Sequence, residues 1–523
     1  MLTDIAIAVT SCGFSQRRNG VRLCTAICAF GLTASVSLAQ LPPASPNPVI
    51  PGDHPDPTIV RVGAEYWTAS TSGDWSPQFA LYRSTDLGHW TSAGAIFPHQ
   101  PEWATGSFWA PELVSDGGRI LVYYVGRKRD GPLCVAAATA PKPQGPYTDH
   151  GPIVCESDGS IDPAFMRDEN GVPYLLWKED GNSQHKPTPI WAQRLTEDLL
   201  HLTGEKRQLI VNEPTSWEGG VVEAPYMMRH AGRYYLFYAA NSCCGTQCNY
   251  AEGVARADHL LGPWEKDPAN PVIGPNEWWR CPGHGTAVET PSGSDYFLYH
   301  AYPVKGSIYL GRESVMDRIT WSADGWPAVN GGNGPHQPSL LPAGEVLDKF
   351  RATRLDAEWR WPVNHEPHIA VGRGELKLMS TAESHTDYVA RSLTSPDYTA
   401  TVETMANGGA LASLAVIGNE KHSTGLGRRG ESLELWRLDE NGHHVLWQTD
   451  GVKSARVWLR ISSESGKRLA YNYSLDGKKW KAAGEAIDVT HLPQWDQGLR
   501  VGLLAEGDPG TLATFGPFDL QSR

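Results

Sequence analysis

Long runs of lysine and arginine are missing from this sequence, and charged residues of all kinds make up only 20% of it. The formal net charge is −13. An acidic chain without basic clusters lacks the electrostatic footprint of a nucleic-acid binder or of a protein that docks on anionic membranes. Apolar runs long enough to span a bilayer are missing too: the one extended run, residues 23–38, is short for a span. Cysteine is sparse. Three of the nine (Cys12, Cys24, Cys28) precede residue 39, and the rest of the chain carries Cys134, Cys155, Cys243, Cys244, Cys248 and Cys281.

The short apolar run has a meaning of its own. Arg17, Arg18 and Arg22 precede it, and small Ser37 and Ala39 close it in the pattern of a cleavage site. Residues 1–39 therefore read as a signal peptide, and the mature protein is expected to be exported. The Arg17-Arg18 pair leaves Sec and twin-arginine export both open. Export turns the six remaining cysteines into candidates for three disulfides. Cys134 lies on "LCVAAATA" and Cys155 ends "GPIVC", read as neighbouring strands, and the two are expected to pair. "CCGTQC" could also suggest a thiolate metal site, but an oxidising destination favours disulfides. Which of its three cysteines joins Cys281 is open.

What the chain has in quantity is aromatic side chains and turn residues. There are 20 Trp, 19 Tyr and 11 Phe, with 54 Gly and 39 Pro. Many turns between Tyr- and Trp-rich runs indicate an all-β protein. The runs repeat. "HPDPTIVRVGAEYWTAST", "WAPELVSDGGRILVYYVG", "IDPAFMRDENGVPYLLWK", "VEAPYMMRHAGRYYLFYAA" and "GHGTAVETPSGSDYFLYHA" each open on a polar or small residue and continue as a hairpin. The units start near Pro57, Pro111, Pro163, Pro225 and Gly285, a spacing of roughly 50–60 residues that suits a propeller blade. A second recurring element, such as "STDLGHWTSAGAIF", supplies the outer strands. The prediction is a five-bladed β-propeller, whose inner strands converge on a central channel.

Radial repetition carries equivalent positions to one end of that channel. Asp56 and Asp162 sit just before the proline of units one and three. Glu223 lies one residue earlier in unit four, and His284 opens unit five. Three carboxyls and an imidazole from separate blades would meet in one polar concavity, the way a hydrolytic site is built. Trp75 and Trp109 follow inner-strand positions, where each could stack on a sugar face or pack between blades.

Residues 330–345, "NGGNGPHQPSLLPAGE", read as a linker. Beyond them, regular alternating runs such as "SLELWRL", "VWLRISSE" and "RLAYNYSLDGKKWK" predict a β-sandwich. No carboxylate–histidine constellation stands out there. The expected organisation is residues 1–39 signal peptide, 40–335 propeller, and 336–523 linker and sandwich.

With these motifs in family order, the chain resembles family 43 glycoside hydrolases, in particular the β-xylosidase and α-L-arabinofuranosidase members with a C-terminal concanavalin-like, jelly-roll-like sandwich. The resemblance implies an inverting exo-glycosidase that removes terminal β-xylose or α-L-arabinofuranose from xylan- or arabinoxylan-derived oligosaccharides. The alternatives are an arabinan-cleaving enzyme or a non-catalytic sugar-binding propeller. It implies Asp56 as general base ("HPDP"), Asp162 as the residue that orients and tunes the acid ("SIDPAF"), and Glu223 as general acid ("VEAPYM"). It also implies Arg312 ("GRESV") as a sugar-hydroxyl contact, and His284 ("GHGTAVETPSG") as a central histidine near which a structural calcium is held through water. No cofactor is expected for the chemistry. "EAP" stands where many members have "EGP", and the "CCGTQC" insertion is not general to the family. In such a mechanism Asp56 must be ionised, and Glu223 must hold a proton, with its pKa raised by an ionised Asp162.

Overall fold

In the computed structural model of the chain, the structure describes residues 47–339, 344–381, 386–406 and 409–523. The predicted signal peptide lies outside the described residues. Residues 47–339 form five four-stranded antiparallel sheets, each paired in sequence order apart from a two-residue strand that leaves the first blade. Their inner strands are Thr58–Val62, Trp109–Asp116, Ser160–Arg167, Val222–His230 and Trp279–Glu289. Each packs beside the next, and the first returns to the last, so the sheets close into a ring. This is a five-bladed propeller. Residues ahead of the first blade lock the ring: the Val49 N–H donates to the Ser314 carbonyl at 2.9 Å, and the Asn47 side chain accepts from the Met316 N–H at 2.8 Å.

One backbone device recurs at the entrance of every inner strand. Asp56, Ala110, Asp162, Ala224 and His284 occupy equivalent positions, and all have φ between 36° and 56°. The left-handed region costs a non-glycine residue on the order of 1 kcal/mol or more. Four of the five inner strands also break register here, at Trp109/Glu112, Ile161/Ala164, Glu223/Tyr226 and twice between Arg280 and Thr286. Such bulges re-aim side chains. Five strained corners thus turn their residues toward one mouth of the channel.

The C-terminal region is a two-sheet sandwich. One sheet has six strands, from Thr386–Ser392 at one edge to Gly442–Thr449 at the other; the second has nine. Alternating apolar residues such as Leu414, Val416, Leu459, Ile461, Val501 and Leu503 fill the space between them. The propeller and the sandwich share one seam. Trp361–Pro362 pairs with Trp75–Ser76 of the propeller, and the Arg360 guanidinium donates to the Pro77 carbonyl at 2.6 Å. Part of the predicted linker is built in: the Asn276 side chain donates to the Pro335 carbonyl at 2.7 Å, and Glu345–Asp348 already pairs in the sandwich.

Candidate active site

Asp56, Asp162, Glu223, His284, Arg312 and Trp109 all line one cavity of about 420 Å³ at the mouth of the channel. Trp75 does not. Its indole is 3% exposed, lies edge-on to Tyr388 at 5.8 Å under the Arg500 guanidinium, and donates to Gln497 Oε1 at 2.8 Å. This tryptophan is a packing residue of the seam between propeller and sandwich, so the sequence-based option of a sugar platform in the catalytic pocket gives way to the packing one. Trp109 meets Trp495 of the sandwich edge-on at 6.3 Å, and the two form an aromatic corner of the pocket.

Asp56 is held by cationic and polar groups on every side. Arg312 Nη1 donates to Oδ1 at 2.9 Å, and the Thr71 hydroxyl donates to Oδ2 at 2.7 Å. His300 Nδ1 lies 3.1 Å and His284 Nδ1 3.4 Å from Oδ1. Burial pushes this carboxyl up, but Arg312, His284 and His300 together overcome burial and hold it well below the usual range. Asp56 is therefore ionised. Both terminal nitrogens of Arg312 are engaged with the protein: the second, Nη2, donates to the backbone carbonyl of Asp496 at 3.2 Å, while Nε has no partner among the described residues. Its position makes it a clamp on Asp56 as well as a wall of the cavity. His300 escaped sequence reasoning because "LYHAY" reads as a buried strand. Burial lowers its pKa to about 4, so its ring is neutral.

The acid side is wired differently. Lys178, fully buried, donates to Asp180 Oδ1 at 2.8 Å, Asn182 Oδ1 at 2.8 Å and Glu223 Oε2 at 2.9 Å. The Tyr250 hydroxyl donates to Glu223 Oε1 at 2.9 Å. Tyr250 is stacked on His300 and lies over Gly283, where a Cβ would meet its ring at 2.7 Å, so only glycine fits. Asp162 Oδ2 accepts the Ala224 N–H at 2.9 Å, which ties the third blade to the backbone beside the acid. Here the structure corrects an expectation. Glu223 is not the group raised in the free site: burial raises it, but Lys178, Tyr250 and His284 outweigh burial and bring it down. Asp162 is raised instead, to about 6, by burial and by the charges of Glu223 and Asp56. The reason is Lys178, which the repeat comparison overlooked. A lysine inside the apolar run "YLLWKE" was the available signal, since a buried ammonium needs an anionic partner.

The calcium expectation also meets the geometry. Among the described residues no group of three or more His, Cys, Asp or Glu side chains is placed to hold a metal. The carboxylate facing His284 is already neutralised by Arg312. A further carboxyl beside it, Glu252, takes the His284 N–H at 2.9 Å and is pushed far up by burial, so it is a neutral acid. Calcium prefers several charged or carbonyl oxygens, and this donor set does not fit it.

The cysteines settle as three disulfides: Cys134–Cys155, as expected, Cys248–Cys281, and the adjacent pair Cys243–Cys244. The last pair lines the cavity. Its loop is pinned at the base, with the Asn249 N–H donating to the Ser242 carbonyl at 3.0 Å and Arg280 donating to the Thr246 carbonyl at 2.8 Å. The loop also leans on the sandwich, since a Cβ on Gly245 would meet the Trp495 carbonyl at 3.3 Å.

A propeller whose blades gather three carboxyls, one ionised and two sharing a buried lysine's field, in a pocket between aromatic walls has the paired acid and base that hydrolysis of a glycosidic bond calls for. The chain belongs to the glycosyl hydrolases family 43, whose model matches residues 45–327; residues 347–521 match the beta xylosidase C-terminal Concanavalin A-like domain. Among curated relatives it is 30% identical over 332 residues to the xylosidase/arabinosidase 43B of Humicola insolens, 58% of each chain. It is 26% identical over 514 residues to the xylan 1,3-beta-xylosidase of a Vibrio species, 85% of this chain and 91% of that one. A relative from Escherichia coli K12 is 29% identical over 354 residues. The chain spans about three-fifths of the length of the Escherichia coli and Humicola relatives, 63% and 58%. Among solved structures, the xylan beta-1,4-xylosidase of Bacillus halodurans superposes with a TM-score of 0.76 at 23% identity, covering 91% of this chain and all of that one, a likeness of fold.

Proposed function

We propose that this hydrolase is an inverting exo-glycosidase that releases terminal β-xylose, α-L-arabinofuranose or both from hemicellulose-derived oligosaccharides. The observation that carries the reading is the opposite charge state of the two sides of one pocket: Asp56 held ionised by Arg312, and Asp162 with Glu223 holding a proton between them below about pH 6. In the reaction Asp56 takes a proton from water, the oxygen of that water bonds to the anomeric carbon, and the bond to the leaving oxygen breaks as Glu223 protonates it. Asp162 serves as the proton's resting place in the free enzyme, and its hold on the Ala224 N–H positions the acid. Two features support exo action: the Cys243–Cys244 loop and Trp495 meet over one side of the cavity, and xylosidase and arabinosidase names recur among the relatives.

We further infer that the protein is exported, which the arginine-flanked apolar run and the three disulfides support. The deciding experiment is a screen on aryl β-xylosides, aryl α-L-arabinofuranosides, xylo-oligosaccharides and linear arabinan, with NMR of the first anomer released. Rapid release of a single pentose of inverted configuration is expected. Mid-chain cleavage of arabinan, or a product of retained configuration, would overturn the reading.

A further inference from the structure

The sandwich reaches into the catalytic pocket through residues 495–500, and the anchoring of that segment is unusually complete. The Gly498 N–H donates to Asp53 Oδ2 at 3.1 Å, and the Leu499 N–H donates to the Tyr309 carbonyl at 3.0 Å. Gln497 takes the Trp75 indole N–H at 2.8 Å. Gly498 packs so closely on Leu310 that a Cβ would meet its carbonyl at 2.6 Å. Asp496 is therefore held in place from both sides. Its backbone carbonyl accepts from Arg312, and its side chain lines the same cavity as Asp56 and Glu223.

That carboxyl is the anomaly. Asp496 is 5% exposed, yet among the described residues no other residue donates a hydrogen bond to its side chain; only its own N–H does. No cation lies within ion-pair distance of it among the described residues. The carboxyl is not one of the polar atoms sealed in the interior without a partner; it keeps contact with the cavity that it lines. Lys178, Asp56 and Glu223, around the same cavity, each have protein partners. A carboxyl held rigid, buried and open only toward the cavity has an acceptor to offer to whatever enters, and a neutral sugar carries hydroxyl donors.

We propose that Asp496, supplied by the sandwich, is a substrate-recognition residue whose carboxyl hydrogen-bonds one hydroxyl of the pentose bound in the pocket, which makes the sandwich part of the active site. The inference rests on the reading of the pocket as a pentosidase site. Burial holds the group up at about 7, so around neutrality it can either accept or donate in that bond. A site built around a hydroxyl discriminates sharply against a sugar that lacks it, because the buried polar group is then stranded.

The test is a cycle of enzyme and substrate variants. Wild type, Asp496→Asn and Asp496→Ala are assayed for kcat/KM on the preferred aryl pentoside and on its 2-, 3- and 4- or 5-deoxy analogues, as the ring form allows. Wild type should lose about 10- to 100-fold on one deoxy analogue, the range for a hydrogen bond to a charged group. Asp496→Ala should lose a similar factor on the parent and show almost no further loss on that same analogue, while the other deoxy penalties stay. Asp496→Asn, which keeps the shape and a hydrogen bond, should fall between and should report even where the alanine variant fails to fold. Unchanged deoxy penalties in both variants, or an equal loss on every substrate, would overturn the proposal and leave Asp496 a structural residue. A wild type inactive on xylosides and arabinofuranosides alike fails at an earlier step: it sinks the functional reading and this inference with it.

Discussion

The two sides of the pocket use one backbone device for opposite ends. On the side of blades one and five, Asp56 sits at its left-handed corner among Arg312, His284 and His300 and is kept ionised. On the side of blades three and four, Asp162 occupies the same kind of corner, and Glu223 stands one residue before another, in the field of a single buried lysine. Glu223, Asp180 and Asp162 all lie in that lysine's field, and burial keeps a proton on Asp162 up to about pH 6. The corner fixes where each acid points; the residues on neighbouring strands fix whether it is charged. Arg312 lies just ahead of Glu313–Trp321 and Lys178 on Pro173–Glu179, neither of them inner strands.

The largest expected effect breaks the comparison outright. Asp56→Asn and Glu223→Gln should each lower kcat on natural oligosaccharides by roughly 10²–10⁴-fold, the usual worth of general acid–base catalysis. They should part company on 2,4-dinitrophenyl pentosides, whose leaving group needs no proton. Glu223→Gln should recover most of its rate there, and Asp56→Asn should not. Equal recovery by both would show that the two sides are not base and acid.

Lys178→Met comes next. Breaking a buried pair by removing one partner costs about 3–5 kcal/mol, and here it strands Glu223 and Asp180, which denaturant unfolding should register. The pH profile gives the sharper readout. Lys178 favours the ionised form of Glu223, so its loss lets the acid keep its proton to higher pH. The alkaline limb of kcat/KM, expected near 6 in the wild type from Asp162, should move upward. Arg312→Gln tests the other side with a smaller change. Arg312 depresses the Asp56 pKa, so without it the base is protonated at higher pH and the acid limb moves up while the alkaline limb stays. If either substitution moved the opposite limb, the electrostatic division of the pocket would be wrong.

These partners also mark where the sequence stops being legible. The five corners were readable because a repeat aligns them: "HPDP", "SIDP" and "VEAP" place Asp56, Asp162 and Glu223 before any coordinates. A blade-sized period and turn chemistry were enough for the propeller, and alternation for the sandwich. His300 and Asp496 were not readable and Lys178 only in part, since a lysine in an apolar run signals a buried cation but not which carboxyl it meets: each acts across a boundary between blades or domains that the repeat does not encode. Trp75 went the other way: its place in the repeat pointed to the pocket, but the sandwich covers it. The cysteine pairing had the same limit, since Cys248–Cys281 joins blade four to blade five, and only the packing of these neighbouring blades brings them together.

The smallest expected effect is the most specific test of the corner device. Ala224 has φ 54° where many members of the family carry glycine. The left-handed conformation costs alanine about 1–2 kcal/mol, and Ala224→Gly removes that strain. Glycine in turn widens the unfolded ensemble by about 0.4–1 kcal/mol, and the buried Cβ is lost. The terms oppose one another, so the stability change should stay within about 1 kcal/mol. Activity should stay within about threefold of wild type, a factor worth less than 1 kcal/mol, because the contact that positions the acid is the Ala224 backbone N–H on Asp162, which glycine keeps. A tenfold fall in kcat with an unchanged melting temperature would mean that the alanine side chain, and not the corner, aims Glu223.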